Sequence, residues 1–202
     1  MGCGRMTESV YYDFAERAAM SHGVSASDSV ADILMQNVPG AVRIEASTLA
    51  EDKSGTDWWV RRYSDYDLAV DCKVREEDWS VKPEAVRADD LALEIWSVKE
   101  NKIPGWTLRQ DKRTDYVLWL WSDTGRWCLI PFPMLCAVFR ENGRRWCDRE
   151  HGYKRATQTS RNGGSQWTSE CVFVPRVTVW DAILRKYGGG VPSPNMENST
   201  SV

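Results

Sequence analysis

Apolar positions recur at spacings of three and four in two stretches near the start of the chain. Val10, Phe14 and Ala18 stand four apart with Tyr11 and Ala15 beside them, which predicts an amphipathic helix over residues 7–20 capped by Thr7. Val30, Ile33 and Leu34 predict a second helix to Asn37, capped by Ser27 or Asp28 and ended by Pro39-Gly40. From residue 41 the period changes to two. Residues 41–49 (AVRIEASTL) read as a strand, EDKSG as a turn, and residues 58–62 and 67–75 as two strands joined by a turn at 63–66.

Residues 76–90 are polar, hold Pro83 and read as a loop. Residues 91–98 (LALEIWSV) form an apolar strand interrupted by Glu94, and a short helix is expected to carry Arg109, Gln110, Lys112 and Arg113. The nearly continuous apolar run YVLWLW at 116–121 fits a strand buried on both faces. A strand at 127–130 and a helix from Pro133 to Phe139, ended by Asn142-Gly143, follow. Gly163-Gly164 marks a turn, residues 171–174 a last strand and 179–186 a last helix. The pattern is that of one α/β domain over residues 1–187, and the stretch from Gly188 to Val202 has too little to bury and is expected to be disordered.

Strand alternation gives the sharpest chemical reading. In 67–75, Leu68, Val70, Cys72 and Val74 make one apolar face, and Asp67, Ala69, Asp71 and Lys73 make the other. Asp71 and Lys73 therefore emerge side by side, roughly 7 Å apart along the backbone, and can share one small ligand. Asp57 precedes the other strand of the hairpin. A turn centred on Ser64-Asp65 would pair Asp57 with Cys72 and aim its side chain into the core. A bulge or an odd-length loop, shifting the register by one residue, would bring Asp57 to Asp71.

Two carboxylates and a lysine suit metal-assisted phosphodiester hydrolysis. Magnesium, or manganese, takes one or two carboxylates plus waters and the phosphate itself, so Asp57, Asp71 and the Cys72 carbonyl are the candidate ligands. Lys73 would orient or help deprotonate the attacking water and offset negative charge. Gly55-Thr56-Asp57, a hairpin, and an apolar strand ending Asp71-Cys72-Lys73 resemble the PD-(D/E)XK nuclease superfamily over residues 7–130. Thr56 stands where the name-giving motif has proline. The resemblance implies a restriction-endonuclease-like core, in which a helix precedes a mixed central β-sheet and a second helix packs behind it. It also implies a glutamate from the first helix, for which Glu16 is the candidate, and a polar residue from the second, for which Gln110 and Lys112 are candidates.

Composition narrows this reading. A net charge of −3 gives no general attraction to nucleic acid, so contact with DNA has to come from a local patch. The basic stretch 140–161, with Arg144, Arg145, Arg149, Lys154 and Arg155 among Trp146, His151 and Tyr153, is the candidate strip, joined by Lys112. Its plainer reading is a solvated basic loop. Asp71 and Lys73 have a plain reading too, an exposed ion pair on one strand. Glu94 is either a site residue or the partner of Lys99 or Arg109. The six cysteines show no metal-ligand spacing and read as free thiols; several of the eleven tryptophans lie in apolar runs and read as core. No apolar run is long enough to span a bilayer and no signal peptide is evident, so a cytoplasmic protein is expected. The expected function is a metal-dependent DNA nuclease; the alternative is a nuclease-like domain that binds nucleic acid or a protein without cutting.

Overall fold

The alternation read from residues 67–75 is realised in a strand at the centre of its sheet. The computed structural model describes residues 11–13, 28–64, 66–81, 89–162 and 164–188. In sequence order its elements are β1 (Tyr11–Asp13), α1 (Asp28–Asn37), β2 (Ala41–Ala46), α2 (Leu49–Lys53), β3 (Trp58–Arg62), β4 (Leu68–Arg75), β5 (Asp90–Val98), β6 (Ile103–Pro104), β7 (Tyr116–Trp121) and β8 (Trp127–Pro131). Helix α3 (Phe132–Trp146), strands β9 (Arg155–Asn162) and β10 (Ser165–Pro175), and helix α4 (Arg176–Tyr187) complete them. The class is mixed α/β. One sheet has the order β2-β3-β4-β7-β8, with β4 and β7 parallel and the other neighbours antiparallel; the second has the order β1-β9-β10-β5-β6.

Each face of the first sheet is covered. Leu68, Val70 and Cys72 of β4 join Trp58, Val60, Leu118 and Leu120 against Val30, Leu34 and Val38, on or just after α1. The opposite face contributes Val117, Trp119, Trp121, Cys128 and Ile130 to a second core shared with β5, β10, α3 and α4. Arg75 of β4 marks the seam between the sheets, its guanidinium 5.3 Å from the Trp119 ring centre and 5.7 Å from that of Phe173 on β10. The polar face of β4 is thus enclosed rather than solvated, and Asp71 is only 2% exposed.

Four local expectations change. Tyr11–Asp13 is a strand, parallel to Thr159–Arg161 of β9, not helix, in keeping with the strand propensity of tyrosine. The remainder of the expected first helix, Glu16 included, lies outside the described residues, as do positions 189–202. Residues 49–53 are a helix where a turn was expected, because Thr48 and Glu51 form a reciprocal capping box. Thr48→Ala should cost about 1 kcal/mol, read as a lower urea midpoint with unchanged slope. Residues 109–113 are irregular chain with a bend at 110–111 rather than a helix, since their backbone is drawn out along the first sheet: Arg113 N–H donates to the Ser54 carbonyl at 3.0 Å and Asp115 N–H to the Ala69 carbonyl at 2.8 Å. Finally, Asn142-Gly143 does not stop α3. The helix runs on to Trp146, which is 1% exposed and packs 6.1 Å from Phe139. Burying that indole is worth more than the roughly 1 kcal/mol a helical glycine costs.

Strand β9 was not anticipated. It forms a hairpin with β10, Asn162 pairing with Ser165 across the Gly163-Gly164 link. The five cysteines among the described residues are free thiols. Among the described residues no helix is long and apolar enough to cross a membrane.

Candidate active site

Strands β3 and β4 pair Trp58 with Val70, Trp59 with Ala69 and Val60 with Leu68. The paired residues nearest the turn, Val60 and Leu68, enclose an odd number of residues, 61–67, which is one register step from a turn centred on Ser64-Asp65. The ladder ends at Trp58 and Val70, and Asp57 follows directly beyond it, bonded to the residues on either side of Asp71. Asp57 N–H donates to the Val70 carbonyl at 2.9 Å, and its carboxylate Oδ2 accepts from Cys72 N–H at 2.7 Å. A residue's N–H and C=O project toward the same strand edge, so the Cys72 carbonyl faces the edge that Asp57 occupies. The Cys72 thiol points the other way, into the core beneath α1.

The Gly55-Thr56-Asp57 triplet is fixed by the loop that was expected to be helical. Thr56 Oγ donates to the Arg113 carbonyl, Thr114 Oγ donates to the Gly55 carbonyl, and both threonines are buried. Thr56 therefore has its own use where the nuclease motif has proline. Gly55 sits at φ +92°, and the Lys112 side chain occupies the space a Cβ would need, with its Nζ 2.9 Å from that point. The positive φ calls for glycine there, and a Cβ would also push the Lys112 side chain aside.

This close approach delivers Lys112 to Asp71. The two oxygens of Asp71 accept from two ammonium groups, Lys73 Nζ at 2.6 Å on Oδ1 and Lys112 Nζ at 3.0 Å on Oδ2. The Lys112 side chain is 10% exposed and that of Lys73 30%. Lys73 also lies 5.6 Å from the ring centre of Trp106, which stacks on Phe132 at the start of α3. Gln110 is exposed. Of the two polar candidates from this segment, Lys112 is the one that reaches the cluster.

Glu94 enters from the other sheet. Neither expected partner pairs with it: Lys99 Nζ lies 3.1 Å from Glu170, and Arg109 pairs with Asp111. Instead Glu94 Oε2 accepts from Trp106 N–H at 3.0 Å, and the Glu94 backbone carbonyl accepts from Thr107 Oγ. A Cβ on Gly105 would overlap the Glu94 backbone, so the Gly105-Trp106-Thr107 turn is moulded on this residue. Burial raises the Glu94 carboxyl above its ordinary value, and the Trp106 N–H and the charges of Lys73, Lys112 and Arg109 oppose that rise.

The electrostatics divide the carboxylates. Burial, and then the neighbouring charge of Asp71, push the Asp57 carboxyl up to about 7. Burial works against Asp71 as well, but Lys73 and Lys112 outweigh it and hold its carboxyl below the ordinary range. Burial opposes the Lys73 ammonium too, yet Asp71 and Asp57 outweigh it and raise its pKa. Asp71 thus keeps its charge, Asp57 is the acid that yields it, and Lys73 is a firm cation. That last point favours charge compensation over the deprotonating role considered for Lys73 from sequence.

Among the described residues, no three His, Cys, Asp or Glu side chains converge as a metal cage. Two carboxylates and a facing carbonyl nevertheless fit magnesium, which keeps several waters and relies on substrate phosphate for further ligands.

The basic stretch does not behave as one strip. Arg144, Arg145, Arg149 and Lys154 are exposed, with Asp148 and Glu150 exposed among them. Arg145 bonds Asn142 at 3.2 Å. Arg155 pairs with buried Glu170 and donates to the Cys147 carbonyl at 3.2 Å, so its charge is committed inside the fold. Sequence reasoning left open the place of Glu94 and did not see Trp106 as a neighbour of the site. Their signals were present as the single acid in an apolar strand and a Pro-Gly-Trp-Thr turn a few residues on. No protein family, curated protein or solved structure matches this sequence.

Proposed function

We propose that the protein is a magnesium-dependent nuclease that hydrolyses phosphodiester bonds in DNA, with Asp57, Asp71 and Lys73 at its centre and a restriction-endonuclease-like core around them. The observation that carries this reading is the anchoring of Asp57 to Val70 and Cys72, the residues on either side of Asp71, with Lys73 ion-paired to Asp71. The resemblance to the PD-(D/E)XK superfamily supports it, as does a mixed sheet preceded by helix α1. The segment between β4 and β7 departs from that plan, since residues 109–113 are irregular chain rather than helix.

Asp57 and Asp71 would hold the cation together with the Cys72 carbonyl. When bound, it polarises the phosphoryl group and makes a metal-bound water acidic enough to attack. Lys73, fixed by Asp71 and the Trp106 ring, places a positive charge where the phosphate gains negative charge. Enclosure between two sheets strengthens each of these charges by excluding water.

A second reading is favoured by one observation: both oxygens of Asp71 are already bonded to ammonium groups. A domain closed in this way would bind nucleic acid or protein without cutting. Purified protein incubated with linear and branched DNA separates the two. The nuclease reading expects cleavage with magnesium or manganese and none in chelator; DNA binding without cutting under either cation ends it.

A further inference from the structure

Asp71 has a conflict to resolve before it can ligate a cation. Its carboxylate has lone pairs to spare, so space is not the obstacle. The obstacle is charge, because a divalent ion on Asp71 would stand beside the ammonium groups of Lys73 and Lys112, both already within hydrogen-bond distance of the same carboxylate. In so enclosed a place like charges repel strongly.

We propose that Glu94 is the carboxylate that receives Lys73 and Lys112 when a divalent cation occupies Asp57 and Asp71. The proposal rests on the nuclease reading and gives Glu94 a positioning role. Three observations carry it. Glu94 forms no ion pair among the described residues, and the charges of Lys73 and Lys112 favour its ionised form against the burial that opposes it. It is held in place by the Trp106 N–H on Oε2, whereas Oε1 has no hydrogen-bond partner among the described residues and remains able to accept. The ring of Trp106, whose own backbone N–H secures Glu94, lies 5.6 Å from the Lys73 ammonium, so the residue that holds Glu94 also offers Lys73 a cation-accepting face. Lysine suits such an exchange, being a point charge on a flexible stem. The cation-free cluster is then closed by Asp71 and the cation-bound cluster by Glu94.

Manganese binding to substrate-free protein, followed by calorimetry, tests this without relying on cleavage. Glu94→Gln keeps an oxygen for the Trp106 N–H and removes the charge. It should weaken manganese binding about tenfold, the usual scale for residues that orient ligands. Adding Lys112→Met to Glu94→Gln should recover most of the loss by removing one displaced ammonium. If Glu94 only braces the 105–107 turn, Glu94→Gln lowers thermal stability and leaves manganese affinity unchanged, which overturns the proposal but not the nuclease reading. Wild-type protein that binds no manganese overturns both. Should Glu94→Gln not fold, Lys112→Met alone carries the test: manganese binding should tighten several-fold, and equal or weaker binding rejects the exchange.

Discussion

Asp71→Asn should lower the rate of magnesium-dependent DNA cleavage by at least about a thousandfold, the scale on which a preorganised charge at a reacting centre acts. Asparagine keeps the shape of the side chain and its oxygen but not the charge on which the site is built. In the native site that carboxylate is almost fully buried and neutralises two ammonium groups, one at 2.6 Å and one at 3.0 Å. Its loss removes a cation ligand and leaves the two lysines to repel any cation that still binds. Folding should suffer less than catalysis. Breaking a buried pair costs about 3–5 kcal/mol, and the partial exposure of Lys73 brings the expected loss to about 2–3 kcal/mol. Single-turnover cleavage and urea unfolding measure the two effects separately. A folded Asp71→Asn protein that cuts within tenfold of wild type would remove Asp71 from the chemistry.

The sequence made one half of this site plain and the other half conditional. Alternation alone put Asp71 beside Lys73 and the Cys72 thiol on the opposite face, because a strand's two faces follow from its period of two. The place of Asp57 depended on hairpin register, and the observed pairing of Val60 with Leu68 lies one residue away from that of a turn centred on Ser64-Asp65. Lys112 and Glu94 needed the tertiary structure. Lys112 reaches Asp71 only because residues 112–115 leave helical geometry to bond with residues 54–56, and Glu94 approaches from a different sheet. The enclosure of Asp71 was likewise invisible locally: nothing in residues 67–75 says that a second sheet will cover their polar face. Where a short local signal existed, as in the Thr48-Glu51 capping box or the two tyrosines of β1, a chemical reason can be named for the element that formed.

Between about pH 4 and pH 8 the protein should lose stability as pH rises, and Asp57→Asn should flatten that dependence. Burial and the adjacent Asp71 charge raise the Asp57 carboxyl from 3.8 to about 7. Between those two values the folded protein retains a proton that the unfolded state has released, so each increase in pH favours unfolding until the folded carboxyl ionises in turn. The contribution is fully present below the unfolded value and is lost as pH passes the folded one. A difference of about three units sets its ceiling near 4 kcal/mol. Glu94, also raised mainly by burial, adds in the same direction. Asp71 acts with the opposite sign but outside this window, because its carboxyl lies below the ordinary range and its contribution disappears only in stronger acid. A cation bound at the site favours ionised Asp57, so magnesium should stabilise the protein little at pH 5 and most at pH 8. Urea unfolding across this range, for wild type and Asp57→Asn with and without magnesium, reads all of these slopes. A wild-type curve that stays flat from pH 5 to pH 8 would mean that Asp57 ionises as an ordinary carboxylate; the electrostatic strain that a cation relieves would then be absent.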